Sequence, residues 1–308
     1  MKGAGWIDHA GKAVARLAER LGPRGQWPGW VVPDAAPGSR ERDLAAPLTA
    51  LGVLALLGLD VPGVEEVIRR SREHIERTVR PGGVWRYYGN IPPDTDDTAM
   101  CALALGLDHP LVRGRTASAL EATRLENGLF PTWFESGWNP VVDTVPNAHV
   151  VAVIGPGPAT DVAVAWLLDV VENGREVACS AYYPDPLDLH VALTRAVAAG
   201  VEALRPALEC AARRVLGRLQ DEAMSPYRLA QAVVVAAAGS GPGSGGATEG
   251  ARRLVEIARP DGTWPADTLF VCRDLDRTGL KHYQSEAVVT ALCVRALSVA
   301  ATAEGAPR

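Results

Sequence analysis

Apolar residues recur along this chain at helical spacing, and glycine and proline cut the pattern into twelve segments. The spacing predicts helices over 5–21, 43–58, 62–80, 96–107, 111–125, 144–155, 157–173, 186–199, 201–219, 226–239, 247–258 and 284–302, with no strand series. The segments alternate in character. Segment 62–80 carries Glu65, Glu66, Arg69, Arg70 and Glu73 on one face and apolar residues on the other, and 201–219 is built the same way. Segments 43–58, 96–107, 144–155, 226–239 and 284–302 are rich in Ala, Leu and Val nearly all round. A helix without a polar face has to be buried on every side. Amphipathic helices alternating with fully apolar ones therefore predict two concentric rings. The expected fold is all-α, an (α/α)6 barrel of six helical hairpins, as one domain over 1–308.

The connections fit this scheme. Turns leaving inner helices are short, such as Gly58 to Pro62 and Gly106 to Pro110, whereas most loops returning to them are long and hold the aromatic and polar residues. Those loops and the inner-helix N-termini should share one rim, and loops carried on a rigid scaffold are where function concentrates. A Gly-x-Trp/Phe theme recurs there, as Gly25-Gln26-Trp27, Gly83-Val84-Trp85, Gly128-Leu129-Phe130 and Gly262-Thr263-Trp264. The plainest account is that these aromatics cap the barrel. Residues 239–246 read as a flexible Gly/Ser-rich loop, because no Lys-Ser/Thr follows to make a phosphate cradle, and 303–308 as a disordered tail.

Composition excludes several classes. The 308 residues carry a net charge of −5 with no basic block, so nucleic acid is not an expected partner. No apolar run reaches the roughly 20 residues of a membrane span, and residues 1–20 have no apolar core of a signal peptide. Cys101, Cys179, Cys210, Cys272 and Cys293 are scattered singly, as suits reduced thiols, and the expected location is cytoplasmic.

The candidate chemistry sits at the start of one inner helix, in Pro92-Pro93-Asp94-Thr95-Asp96-Asp97-Thr98-Ala99. Helix capping would use one or two acids. Three carboxylates within four residues repel one another, and crowding beside an apolar cavity splits their pKa values so that one keeps a proton. A protonated acid facing a dry pocket is what alkene protonation requires.

Asp-x-Asp-Asp-Thr-Ala after an aromatic Gly-x-Trp turn resembles the signature of class II terpene cyclases, the squalene–hopene cyclase group. The Gly-x-Trp/Phe theme resembles the repeats which that superfamily shares with prenyltransferase β-subunits. The resemblance implies an acid-catalysed isoprenoid cyclase (an isomerase or lyase) in which Asp96 donates the proton to an alkene or epoxide and Asp94 and Asp97 tune it. No metal is implied for that step, and Mg2+ would enter only with a diphosphate-bearing substrate. Enzymes of that group usually join two barrels. This chain has length for one, so its cavity is expected at the barrel mouth or completed by another copy or subunit.

The substrate-facing residues expected on the rim are Trp85, Tyr87, Tyr88, Trp133, Trp138, Asn147, Tyr183, Asp188, His190, Tyr283 and Glu286. Two other readings compete. In one, the barrel binds a lipid-like ligand or a partner protein and the acids only cap a helix. In the other, the protein is a zinc enzyme like the prenyltransferases. Cys272, Asp274 and His282 are the nearest ligand set, but their order and spacing do not match that family, so no metal site is expected.

Overall fold

The computed structural model describes residues 3–34, 36, 38–135, 141–219, 223–240, 245–273 and 279–303. Twelve α-helices form among them: α1 (Gly3–Arg20), α2 (Ala46–Leu56), α3 (Val64–Thr78), α4 (Thr95–Leu105), α5 (Ala117–Ala122), α6 (Thr144–Ile154), α7 (Asp161–Glu172), α8 (Pro186–Ala198), α9 (Arg205–Arg218), α10 (Pro226–Ser240), α11 (Gly245–Glu256) and α12 (Glu286–Ala303). A π-helical stretch, Val112–Thr116, leads into α5.

The apolar helices are the even-numbered ones. Every residue of α2 and α4 is buried, and every residue of α6 except Ile154. They pack in succession, α2 on α4, then α6, α8, α10 and α12, and α12 returns to α2. The odd-numbered helices lie against this circuit, α3 on α2 and α4, α9 on α8 and α10, α11 on α10 and α12. In α3 the residues Val67, Ser71 and Ile75 turn inward. Its Arg69 pairs with Glu66 and Glu73 in solvent, where such pairs contribute little.

The expectation of no strands is corrected. Strands β1 (Gly29–Pro33), β2 (Glu41–Asp43), β3 (Thr268–Arg273) and β4 (Leu280–Gln284) form an antiparallel sheet in the order β2-β1-β4-β3. It joins the loop between α1 and α2 to the loop between α11 and α12, with Val31 opposite Tyr283 and Phe270 opposite Tyr283. Runs this short, one of them ending in Pro33, give almost no period-two signal, and their partners lie at the far end of the chain. The sheet also shortens two expected helices, since Asp43 belongs to β2 and Gln284 to β4. The expected loop 239–246 is narrower too. Gly239 and Ser240 end α10, Gly245 and Gly246 start α11, and 241–244 lie outside the described residues. Of the expected tail, Ala303 ends α12 and the rest lies outside the described residues.

The Gly-x-Trp/Phe theme is a repeated structural joint. In each copy the glycine N–H donates to the carbonyl three residues back, as from Gly83 to Arg80 at 3.0 Å and from Gly262 to Arg259 at 2.9 Å. Each glycine has a left-handed φ near +80°, at Gly25 (81°), Gly83 (78°), Gly128 (81°) and Gly262 (85°). The aromatic that follows is fully buried. Its backbone N–H is taken by a polar side chain early in the next inner helix: Trp27 by Thr49 (3.1 Å), Trp85 by Thr98 (3.0 Å), Phe130 by Asn147 (3.0 Å) and Trp264 by Thr290 (3.3 Å). The indole N–H groups reach the outer helices, Trp27 to Ser71 Oγ at 2.8 Å, Trp85 to Ile75 O at 2.9 Å and Trp264 to Leu254 O at 2.8 Å. A long loop is thereby tied to an inner and an outer helix at once. At Gly25 an added Cβ would stand 2.0 Å from the Arg70 carbonyl oxygen. Gly25→Ala is therefore expected to destabilise the protein by about 2–4 kcal/mol in urea unfolding. A loss below about 0.5 kcal/mol would show that this joint is not under constraint.

Candidate active site

Two prolines precede the acidic run, and Pro93 keeps Pro92 out of the helical region, so α4 starts after it. Asp94 becomes the N-cap, its Oδ1 accepting the Asp97 N–H at 2.7 Å. Thr95 pins the turn to the preceding loop, donating from its N–H to Thr132 O and from its hydroxyl to Pro131 O, both at 2.8 Å. The three carboxyls thus reach the wall of a cavity of about 490 Å³. Much of its remaining wall is aromatic, with Met100, Pro146, Cys272 and Lys281 among the other lining residues. Tyr87, Tyr88, Trp133, Tyr182 and Tyr183 come from the long loops, and Phe270 and Tyr283 from the sheet. Phe270 stacks on Tyr283 with ring centroids 4.6 Å apart, and Tyr87 meets Tyr283 edge-on at 5.1 Å. A surface of ring faces attracts positive charge.

Asp96 is held at both oxygens. Nδ1 of His149 lies 2.7 Å from its Oδ1, and the Tyr183 hydroxyl bonds its Oδ2. Nε2 of His149 is in turn 3.0 Å from the Arg195 guanidinium. A guanidinium only donates, so Nε2 is the acceptor and the ring hydrogen resides on Nδ1, pointing at Asp96. Burial lowers the His149 pKa, against the opposing pull of Asp96, and the imidazole is neutral. Burial, reinforced by Asp96, raises the Tyr183 pKa and keeps its hydroxyl protonated.

The flanking acids are pushed up as well. Burial lifts Asp94 to about 7, with the hydrogen bond from Asp97 working the other way. Burial, then the charge of Asp94, puts Asp97 well above the carboxylate range, and its Oδ2 is buried without a partner among the described residues. Asp94 and Asp97 therefore hold protons longer than exposed carboxyls do. Asp143, which caps α6, is lifted by burial to about 6. It accepts from Ala181 N at 2.6 Å, Tyr182 N at 3.2 Å and Ser180 Oγ at 3.0 Å, and so fixes the loop that delivers Tyr182 and Tyr183.

Of the expected substrate-facing residues, Tyr87, Tyr88, Trp133, Tyr183 and Tyr283 line the cavity with Asp94, Asp96 and Asp97. Five others do not. Trp85 is the buried joint described above, and Asn147 clamps the same kind of turn, donating to Phe130 O and Asp143 O at 2.9 Å each. Asp188 is bound by Arg228 at 2.6 Å and by Gln231 at 2.8 Å. His190 faces Glu176 at 3.1 Å, and Glu286 pairs with Arg20 and Arg259. Each of these polar side chains has a neighbouring partner and none lines the cavity, although His190 Nδ1 is buried without a partner among the described residues. Trp138 lies outside the described residues. Sequence reading also gave no site role to His149, Arg195, Phe270 and Lys281, and weighed Cys272 only as a metal ligand. The available signal for His149 was a lone titratable residue in a helix apolar all round, whereas Arg195 shares α8 with Asp188 and His190 and carried no such signal.

Among the described residues no three His, Cys, Asp or Glu side chains gather as a metal-ligand set. Cys272 faces the cavity, His282 bonds Asp34 at 2.6 Å, and Asp274 lies outside the described residues. No described helix is long and apolar enough to cross a membrane.

No known sequence family matches the chain, and no curated protein matches it. Solved structures do. A protein from Actinoplanes aligns with a TM-score of 0.75 at 19% identity, covering 97% of this chain and 100% of that one. The type II terpene cyclase MstE from Scytonema aligns at 0.73 and 20% identity, covering 98% and 100%. An MstE variant in complex with its product, merosterolic acid A, aligns at 0.70 and 19% identity, covering 98% and 99%.

Proposed function

We propose, from a class II terpene cyclase-like fold with a trio of buried acids on an aromatic cavity, that this protein is an acid-initiated isoprenoid cyclase. The observation that carries the reading is Asp96, 7% exposed on the cavity wall, with both oxygens held by His149 and Tyr183. The closed circuit of apolar helices, wrapped by amphipathic ones, supports the reading of the scaffold as an (α/α)6 barrel with the acids at its loop-bearing mouth. The neighbour MstE, a type II terpene cyclase crystallised with geranylgeranyl dihydroxybenzoate, points to a polyprenyl substrate of comparable bulk.

In the proposed reaction the carboxyl proton of Asp96 adds to a terminal alkene (or opens an epoxide), leaving Asp96 as the carboxylate and a tertiary cation on the substrate. Internal double bonds attack that cation in turn, forming carbon–carbon bonds, and loss of a proton or capture of a nucleophile ends the sequence. His149 donates to the new carboxylate and so stabilises it as charge develops. Tyr87, Trp133, Phe270 and Tyr283 offer ring faces to the moving cation while excluding water. Asp94 and Asp97, whose pKa values burial raises, carry less negative charge than exposed carboxyls and so ease release of the Asp96 proton.

The test is incubation with C15 to C30 polyprenyl substrates, free, diphosphorylated or carried on a phenolic acid, in ordinary and heavy water. The expected product is a cyclic isomer that gains one deuterium from heavy water at the first-protonated carbon. Tight binding of these substrates without any new product would favour a binding protein. Zinc-dependent prenyl transfer to a peptide would favour the prenyltransferase reading.

A further inference from the structure

A second cavity, of about 580 Å³, opens at the other end of the helix circuit, between the C-terminal halves of α2, α4, α8, α10 and α12. Its walls are apolar, with Leu54, Leu107, Val234 and Leu292 among them. Two cations interrupt them, Arg195 from α8 and Arg295 from α12, both half-buried. Neither has a carboxylate partner within 4.0 Å among the described residues. That sets them apart from nearby Arg228, Arg214 and Arg218, which are closed by Asp188 at 2.6 Å, Glu176 at 3.0 Å and Asp185 at 3.1 Å. Arg295 is oriented by main-chain carbonyls, its Nε donating to Ala55 O at 2.8 Å and a terminal nitrogen to Leu57 O. Arg195 gives one N–H to His149.

Burial, and then the charge of Arg195, lowers the Arg295 pKa to about 10, so the two guanidiniums sense each other across the cavity. Cations against apolar walls with no carboxylate in contact are costly, and an anion placed between them relieves both desolvation and mutual repulsion. A guanidinium fork suits a carboxylate or phosphate head, and the apolar remainder of the cavity suits a chain. A volume near 600 Å³ is ordinary for a small-ligand site.

We propose that this cavity binds a single-chain anionic amphiphile, the head seated between Arg195 and Arg295 and the chain lying along the leucine and valine walls. The site is separate from the proposed reaction cavity. The seam Asp96–His149–Arg195 runs between them.

The test is calorimetric titration of the whole protein with dodecyl phosphate, dodecanoate and dodecanol below their micelle concentrations, and with inorganic phosphate. Arg295 is the residue to change, because it touches neither Asp96 nor the first cavity. Dodecyl phosphate or dodecanoate is expected to bind at least about tenfold more tightly than dodecanol and than inorganic phosphate. Which of the two binds more tightly identifies the head. Arg295→Gln should weaken the anion at least about tenfold, and Arg295→Lys, which keeps the charge but not the fork, should lose less than Arg295→Gln. Cyclisation by Arg295→Gln should be unchanged, which separates this site from the catalytic reading. Equal binding of dodecanol, equal binding of phosphate alone, or an Arg295→Gln protein that is folded by thermal unfolding and binds the anion as before would each overturn the proposal.

Discussion

Replacing Asp96 with Asn is expected to abolish cyclic product, by at least about 1,000-fold, while the protein stays folded. The substitution is nearly isosteric. The amide oxygen can still accept from His149 Nδ1, so the inner helices have no reason to shift. What disappears is an acidic proton, and an amide N–H is far too weak an acid to protonate an alkene. Stability should change by no more than about 1 kcal/mol, because removing one of three crowded acids relieves repulsion as it removes a hydrogen bond. Product analysis by mass spectrometry, with thermal unfolding alongside, reads both. If Asp96→Asn keeps a tenth or more of the activity, Asp96 is not the donor. Asp97 would then be the next residue to test, since it lines the same cavity with one oxygen unpartnered and its pKa strongly raised by burial.

The parts of this arrangement that were legible in the sequence are those written in consecutive residues. Inner helices such as α2 and α4 showed themselves because they are apolar on all sides. The acid trio showed itself because three carboxyls stand within four residues. The supports of Asp96 were hidden by distance. His149 lies 53 residues from Asp96, and Arg195 another 46 residues from His149. Pattern reading has no means of joining such residues without the fold.

The repeat was seen but misread at Trp85 and Asn147. Thr49, Thr98 and Asn147 are spaced 49 residues apart, and each accepts the N–H of a buried aromatic, so Asn147 is a structural counterpart of the two threonines. Asp94 and Asp143 share that spacing, and both cap inner helices. Only the copy that adds Asp96 and Asp97 builds a carboxyl group into the cavity wall. The sheet was illegible for a different reason. Its pairing depends on loop closure between the first and last long loops, and its strands show little local alternation.

The second large effect is expected at His149, whose replacement by Phe should lower turnover about 100-fold with little change in substrate affinity. Phe fills the same space in α6, and His149 itself is 1% exposed and absent from the cavity lining, so binding surfaces persist. The loss arises at Asp96. The carboxylate left by proton transfer forfeits the Nδ1–H donor, and that bond is strongest at the moment the charge appears. The Arg195 guanidinium loses its acceptor too, which should cost about 1–3 kcal/mol of stability. A purely structural role for His149 would lower the stability and leave the turnover of the folded fraction alone. His149→Asn separates the two. An asparagine amide can restore a donor towards Asp96, so its turnover should recover part of the loss even where its stability does not. Steady-state kinetics corrected for folded fraction make the comparison. Equal turnover for the wild type and His149→Phe would remove His149 from the proton-donating unit and leave Asp96 supported by Tyr183 alone.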